Sequence, residues 1–337
     1  MSTSAKLNRQ TFLRSLAALP ALVTGCNRDA SPGVKVQLNW YPESEHGGVY
    51  QALADGTYQA AGLTVDVRPG GRATPVAPEL DLGRCQFAIT GADDVVQFRS
   101  EGSDVVAVLA ALQNHPRCIM VNAASPVENF ADFASSGMTL QCQPGRGFLA
   151  FMEQKGFLKT VKQVPYHGSV SSLVTDPTIA IQAYSFAEPL LAQQQGVATR
   201  QLMVSELGWN PYSSVLVTTN ELIQNRPELV GQVVKATRRG WENYFRDPKL
   251  GNAAILSANR HGMTAEALAF GAEQMKPLAM PAGFDPSNFG RMTRERWRDL
   301  VTQIDSFDTA RAGKVDASQC FTNEFLPSDQ PAAATGG

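Results

Sequence analysis

Two successive runs in which strand-like and helix-like patterns alternate constrain this chain more than any other feature. The first opens with "VKVQLNW" (34–40), whose apolar residues alternate as in a half-buried strand. "GGVYQALADGTYQAAG" (47–62) has apolar residues at helical spacing and a natural stop at Gly62. "LTVDVRPGG" (63–71) reads as a second strand running into a Gly pair, "RCQFAITGADDVVQFRSEG" (84–102) as strand, turn and helix, and "VVAVLAAL" (105–112) as a fully apolar strand. The pattern then restarts. "GMTLQCQPGRGFLAFMEQKGF" (137–157) is strand, Gly-rich turn and helix, "QVPYHG" (163–168) is a short strand, and "PTIAIQAYSFAEPLLAQQQG" (177–196) turns from strand to helix around Glu188-Pro189. After the strand "YSSVLVTT" (212–219), everything from Asn225 reads as helices. Such alternation predicts an α/β protein with largely parallel sheets, and two units predict two lobes facing a cleft.

In open parallel sheets, ligands sit beyond the carboxyl ends of the strands. Five turns fall at such ends: 40–48, 70–74, 90–94, 143–147 and 184–189. The first gathers Trp40, Tyr41, Glu43, Glu45 and His46 where a strand hands over to a helix.

The rest of the sequence narrows the class. The 337 residues carry 29 basic and 31 acidic side chains, for a net charge of -2, with no long basic run, which speaks against nucleic acid as a partner. Lys6, Arg9 and Arg14 precede the short apolar stretch "SLAALPALVTGC", the layout of an export signal too short to span a bilayer. Its end, Val23-Thr24-Gly25-Cys26, resembles a bacterial lipobox, which implies cleavage before Cys26 and lipid on its sulfur. Cys85, Cys118, Cys142 and Cys320 form no Cys-x-x-Cys pair, so no metal site is expected, and both disulfides and buried free thiols are open to them. The tail "SDQPAAATGG" is expected to be disordered.

"LNWYPESEHGGVYQALADGTYQAAGLTVDVRPGG", "CQFAITGADDVVQFRSEGSDVVAVLAALQ", "AYSFAEPLLAQQQG" and "PELVGQVVKATRRGWENYFRDP" occur in the order in which similar stretches occur in a known family. The chain resembles, over about 34–310, the ABC-transporter substrate-binding proteins of the sulfonate, nitrate and thiamine-pyrimidine-precursor group. That resemblance implies a type II periplasmic-binding fold, two α/β lobes that close on ligand. It places lobe one at 34–118 plus 217–310 and lobe two at 119–216, after a signal peptide (1–25) and linker (26–33) and before a partly disordered extension (311–337). The Trp40, Pro42, His46 pattern looks most like the branch that binds flat heteroaromatic ligands such as pyrimidine precursors or flavins.

Candidate ligand contacts follow. Trp40 offers a flat face for stacking, and His46 can donate and accept or cap the helix. Glu45 reads as a solvated first-turn residue favouring the helix dipole. Asp93 fits either an N-cap or a contact to ring amines. Arg146, between Gly145 and Gly147, suits an anion clamp or an exposed turn. Tyr184 and Glu188 are the second-lobe signal, with Glu188 at a position the family often uses near ligand or hinge. Tyr212 is a candidate cleft wall, and Gln113 and His115 lie near the lobe crossing.

The expected function is therefore a lipid-anchored, exported solute-binding protein, periplasmic or at the cell surface, whose partners are a small ligand and an ABC permease. No cofactor is expected. Two alternatives stand beside it: a binder of sulfonate- or nitrate-like anions, and a single-turnover pyrimidine synthase consuming His46. A similar eukaryotic branch performs the latter with pyridoxal phosphate and a cysteine-rich iron-binding run, where this chain has "GWNPYSS" (208–214) and no Lys within 39–56.

Overall fold

The computed structural model describes residues 33–327; the export signal, Cys26 and the end of the tail lie outside them. The described residues form ten strands in two five-stranded sheets. β1 (Val34–Gln37), β2 (Val65–Arg68), β3 (Phe87–Thr90), β4 (Val105–Leu112) and β10 (Ser213–Thr219) form the first, ordered β2-β1-β3-β10-β4. β5 (Arg117–Asn122), β6 (Thr139–Cys142), β7 (Lys162–Pro165), β8 (Ile179–Tyr184) and β9 (Thr199–Met203) form the second, ordered β7-β6-β8-β5-β9. Within each sheet four strands run the same way, as the intervening helices require, and one strand, β10 in the first sheet and β5 in the second, runs antiparallel between two of them. The chain passes between the sheets twice, from β4 to β5 and from β9 to β10.

Two of these strands had no separate sequence signal. β5 follows the apolar β4 after four residues, and β9, "TRQLM", is a mostly polar edge strand with little period-two pattern. The helix expected over 47–62 is also interrupted. It runs Gly47–Ala54 and resumes at Thr57–Ala60, because Gly56 takes the left-handed conformation at φ 78°.

The first half of the molecule packs through glycine. Helix Gly47–Ala54 crosses the long helix Pro227–Arg246 with Gly48 against Trp241 and Gly47 against Tyr244, and a Cβ on Gly240 would fall on the Gly48 carbonyl oxygen. The Gly pair after His46 thus serves helix contact. Gly240→Ala is expected to cost about 1–3 kcal/mol through overpacking, read as a lower midpoint in a urea melt; an unchanged midpoint would mean that the two backbones do not meet.

The opposite face of the first sheet shares one core with the second. Val95, Val105 and Val215 connect through Tyr212, Trp297 and Trp209 to Phe148, Phe151 and Met152. Trp297 lies on helix Arg294–Phe307, which sits at the crossings. Its indole stacks on Phe321 at 5.8 Å and 7°. Phe321 in turn bridges β4 at Ala107, so the chain after the last long helix, through Cys320, Phe325 and Leu326, is buried against the first sheet. Cys85, Cys118, Cys142 and Cys320 are buried free thiols, with burial pushing Cys85 and Cys142 up to about 11 and Cys320 to about 12.

Candidate functional site

A cleft of about 490 Å³ lies between the two sheets. It is built at the carboxyl ends of the parallel strands: Asn39 and Trp40 after β1, Gly71 and Arg72 after β2, Thr90 at β3, Gln143 after β6, Tyr166 after β7 and Tyr184 at β8. Arg117, the first residue of β5, closes it from the crossing side. Two of the interactions that bridge the halves involve residues lining this cleft. Arg72 Nη2 donates to the His167 carbonyl at 2.6 Å, and Arg146 pairs with Asp94 at 3.3 Å.

Of the expected contacts, Trp40, Arg146, Tyr184 and Glu188 line this cleft. Trp40 is half-exposed and held edge-on by Tyr41 at 5.1 Å. Glu188, at the N-terminus of helix Glu188–Gln194, accepts from the Tyr184 N–H at 2.7 Å and the Tyr166 hydroxyl at 3.2 Å. Burial raises its pKa despite those bonds. The Arg146 guanidinium is held still more firmly protonated by Asp94, whose own pKa is raised by burial.

The remaining expected contacts lie elsewhere. His46 is fully buried and absent from the cleft lining. It ends a 3-10 turn, Ser44–His46, as part of a capping box. Its Nδ1 accepts from the Glu43 N–H at 3.3 Å, which leaves Nε2–H for Asn39 Oδ1 at 3.0 Å. Desolvation lowers its pKa to about 3, so the ring stays neutral. The capping reading of His46 therefore describes it, and ligand contact does not. Gln113 is buried under the last long helix, bonded to the Arg291 carbonyl at 3.1 Å. Tyr212 is buried as well, its hydroxyl accepting from Thr293 N–H at 2.9 Å and its ring covered by Arg296 at 3.8 Å. Both serve the crossings rather than the cleft wall. His115 does the same, accepting the Arg117 N–H on Nδ1 at 3.0 Å. Asp93 and Gly145 line a neighbouring cavity of about 370 Å³ beyond the Arg146–Asp94 pair.

Several lining residues escaped sequence reasoning. Glu45 is buried in the cleft wall rather than solvated, because the 3-10 turn points it inward. Burial raises its pKa to about 7, only partly offset by Arg117. Glu43 is raised well above the usual range, by burial first and then by the charge of Glu45. Burial thus shifts both carboxyls toward the protonated form, which can donate as well as accept. Gln182 braces the β6 end, accepting the Gln143 N–H at 2.7 Å. The cleft is thus a polar-walled slot with rings at Trp40, Tyr166 and Tyr184, and among the described residues no Lys, Cys or His lines it.

The family profile described as NMT1/THI5 like matches residues 43–250. A riboflavin-binding protein of Chloroflexus aurantiacus is 23% identical over 309 residues, covering 87% of this chain and 86% of that protein. A formylaminopyrimidine-binding protein of Halalkalibacterium halodurans is 21% identical over 300 residues, covering 85% and 88%. Among solved structures, the periplasmic aliphatic sulphonate binding protein SsuA of Escherichia coli superposes with a TM-score of 0.68 at 14% identity, over 90% of this chain and 97% of that one. The profile match spans more than half the sequence. This chain, with its type II periplasmic-binding fold, belongs to the NMT1/THI5-like family.

Proposed function

We propose that this protein is the substrate-binding component of an ABC importer that captures a small, flat heteroaromatic molecule in the cleft and delivers it to a permease. The observation that carries the reading is the slot itself: Trp40 from one sheet faces the Tyr184–Glu188 turn from the other across a cleft bounded by two chain crossings. A ring held on Trp40 and bonded by Glu188 touches both halves at once, so it favours a closed arrangement over an open one. In this reading, 34–118 plus 217–310 is one lobe and 119–216 the other. The bridging Arg72 and Arg146 contacts reform on closure. Trp40, Arg146, Tyr184 and Glu188 hold ligand. The chain is exported and tethered to a membrane through lipid on Cys26.

The relatives named for riboflavin and formylaminopyrimidine support a planar nitrogen heterocycle as ligand. The synthase alternative is disfavoured by one observation: His46, the residue it would consume, is locked in the capping box outside the cleft. Trp40→Ala and Glu188→Gln are each expected to weaken binding of the preferred heterocycle roughly tenfold or more, a loss of about 1.4 kcal/mol or greater. Isothermal titration calorimetry measures this. Wild-type affinity in both variants would mean that the ligand sits elsewhere.

A further inference from the structure

Arg117 is unlike every other charged group of the cleft. It is only 7% exposed, yet among the described residues its guanidinium forms no ion pair and no hydrogen bond. Its Nε is fully buried without a partner. A guanidinium has five N–H donors, and burying such a group unpaired costs several kcal/mol. The contacts it does make are to rings: Tyr184 at 4.2 Å and Phe148 at 5.1 Å from Cζ. Cation–π contact fixes the plane of the group but satisfies none of its donors.

The position is preorganised. Arg117 pairs with Tyr184 in the β5–β8 register, and its backbone N–H is held by His115. Four carboxyls, Glu43, Glu45, Asp94 and Glu188, and the cations Arg72 and Arg146 share the cleft with it, with Arg72 donating to the His167 carbonyl. Burial raises the pKa of both Glu43 and Glu45, against the pull of Arg117, neither is within ion-pair distance of Arg117, and Glu188 is engaged by Tyr184 and Tyr166. Arg146 already has its counter-ion in Asp94. Among the described residues Arg117 is therefore a buried cation that lines the cleft without an ion-paired or hydrogen-bonded partner for its guanidinium.

We propose that Arg117 is the seat of an anionic group on the ligand, so that the molecule captured is a flat heterocycle bearing a carboxylate or a phosphate. A guanidinium offers either anion two parallel N–H bonds, and the ring of the same molecule then lies toward Trp40. This inference rests on the cleft being the binding site, as proposed above. It goes further in stating that the charged form of the heterocycle is the one selected.

The test is calorimetry with matched pairs that differ only in the anion: riboflavin against its 5′-phosphate, and uracil against uracil-6-carboxylate. The full chain is expected to bind the anionic member of at least one pair ten or more times more tightly than the neutral member. The phosphate and carboxylate pairs tell the two anions apart. Arg117→Gln is expected to abolish that preference, and Arg117→Lys to keep part of it, since one ammonium restores charge but not the fork. Equal binding of both members by the wild type overturns the inference while leaving the cleft as the site. So does an Arg117→Gln variant that still prefers the anion. Should that variant fail to fold, the wild-type pair comparison decides alone. Binding of neither member of either pair removes the heterocycle reading and this inference with it.

Discussion

Replacing Arg296 by Ala is expected to lower stability by about 2–4 kcal/mol, because a half-buried cation's hydrogen bonds are lost and its partners left unsatisfied. Arg296, on helix Arg294–Phe307, reaches both crossings between the sheets. Its Nη2 donates to the Gln113 carbonyl at 2.6 Å on one crossing and to the Asn210 carbonyl at 2.8 Å on the other. Nη1 adds Gln113 Oε1 at 3.4 Å. The plane of the guanidinium lies over Tyr212 at 3.8 Å. Asn210 extends the staple by accepting the His115 N–H at 2.7 Å and donating to Asn114 Oδ1 at 2.9 Å. Lysine cannot span two carbonyls while stacking on a ring, so Arg296→Lys is expected to recover only part of the loss. Thermal and urea melts measure both variants. An Arg296→Ala protein as stable as the wild type would show that water replaces the staple without cost.

The second large effect concerns pH. Glu45 titrates at about 7 in the folded chain because it is buried, against 4.5 for the free side chain. Below about pH 4.5 the carboxyl is protonated in both states and its contribution to stability is fully present. As pH rises the unfolded chain releases this proton freely while the folded chain holds it, so stability is lost up to and through pH 7. The loss saturates above that, at about 3 kcal/mol on the basis of 1.36 kcal/mol per pKa unit. His46 acts in the opposite sense. Its folded value of about 3 lies below 6.5, so its contribution is present above pH 6.5 and is lost as pH falls toward 3; His115, also lowered by burial, follows the same direction. The wild-type profile is therefore flattened by cancellation, and the difference between wild type and Glu45→Gln isolates the carboxyl. Glutamine mimics the protonated acid. The variant is expected to match the wild type near pH 4.5 and to exceed it by about 3 kcal/mol at pH 8. Urea melts at the two pH values check this. A constant difference across that range would mean that Glu45 ionises normally.

The pattern of strands and helices was open to sequence because buried parallel strands and amphipathic helices have distinct periods. It also marked the strand ends that line the cleft, and Trp40, Arg146, Tyr184 and Glu188, all placed there, were reached from those ends together with the family resemblance. Side-chain direction was not legible. A 3-10 turn at Ser44–His46 sends Glu45 into the cleft and His46 into the interior, the reverse of what a regular helix start implies. Arg117 was hidden for another reason. β5 carried no sequence signal of its own, and only its pairing with β8 lays Arg117 on Tyr184. Gln113 and Tyr212 looked like cleft residues because the crossings lie beside the cleft. The last helix and the chain that follows it, which cover both, are distant in sequence.

The central claim is that one flat heterocycle is held between the two sheets. Native mass spectrometry of the purified protein, incubated with flavins and pyrimidines alongside alkanesulfonates, tests it most directly. The expected spectrum shows one heterocycle per chain in the wild type and the bare chain mass for Trp40→Ala. A spectrum with only sulfonate adducts, or a heterocycle adduct that Trp40→Ala retains in full, would contradict it.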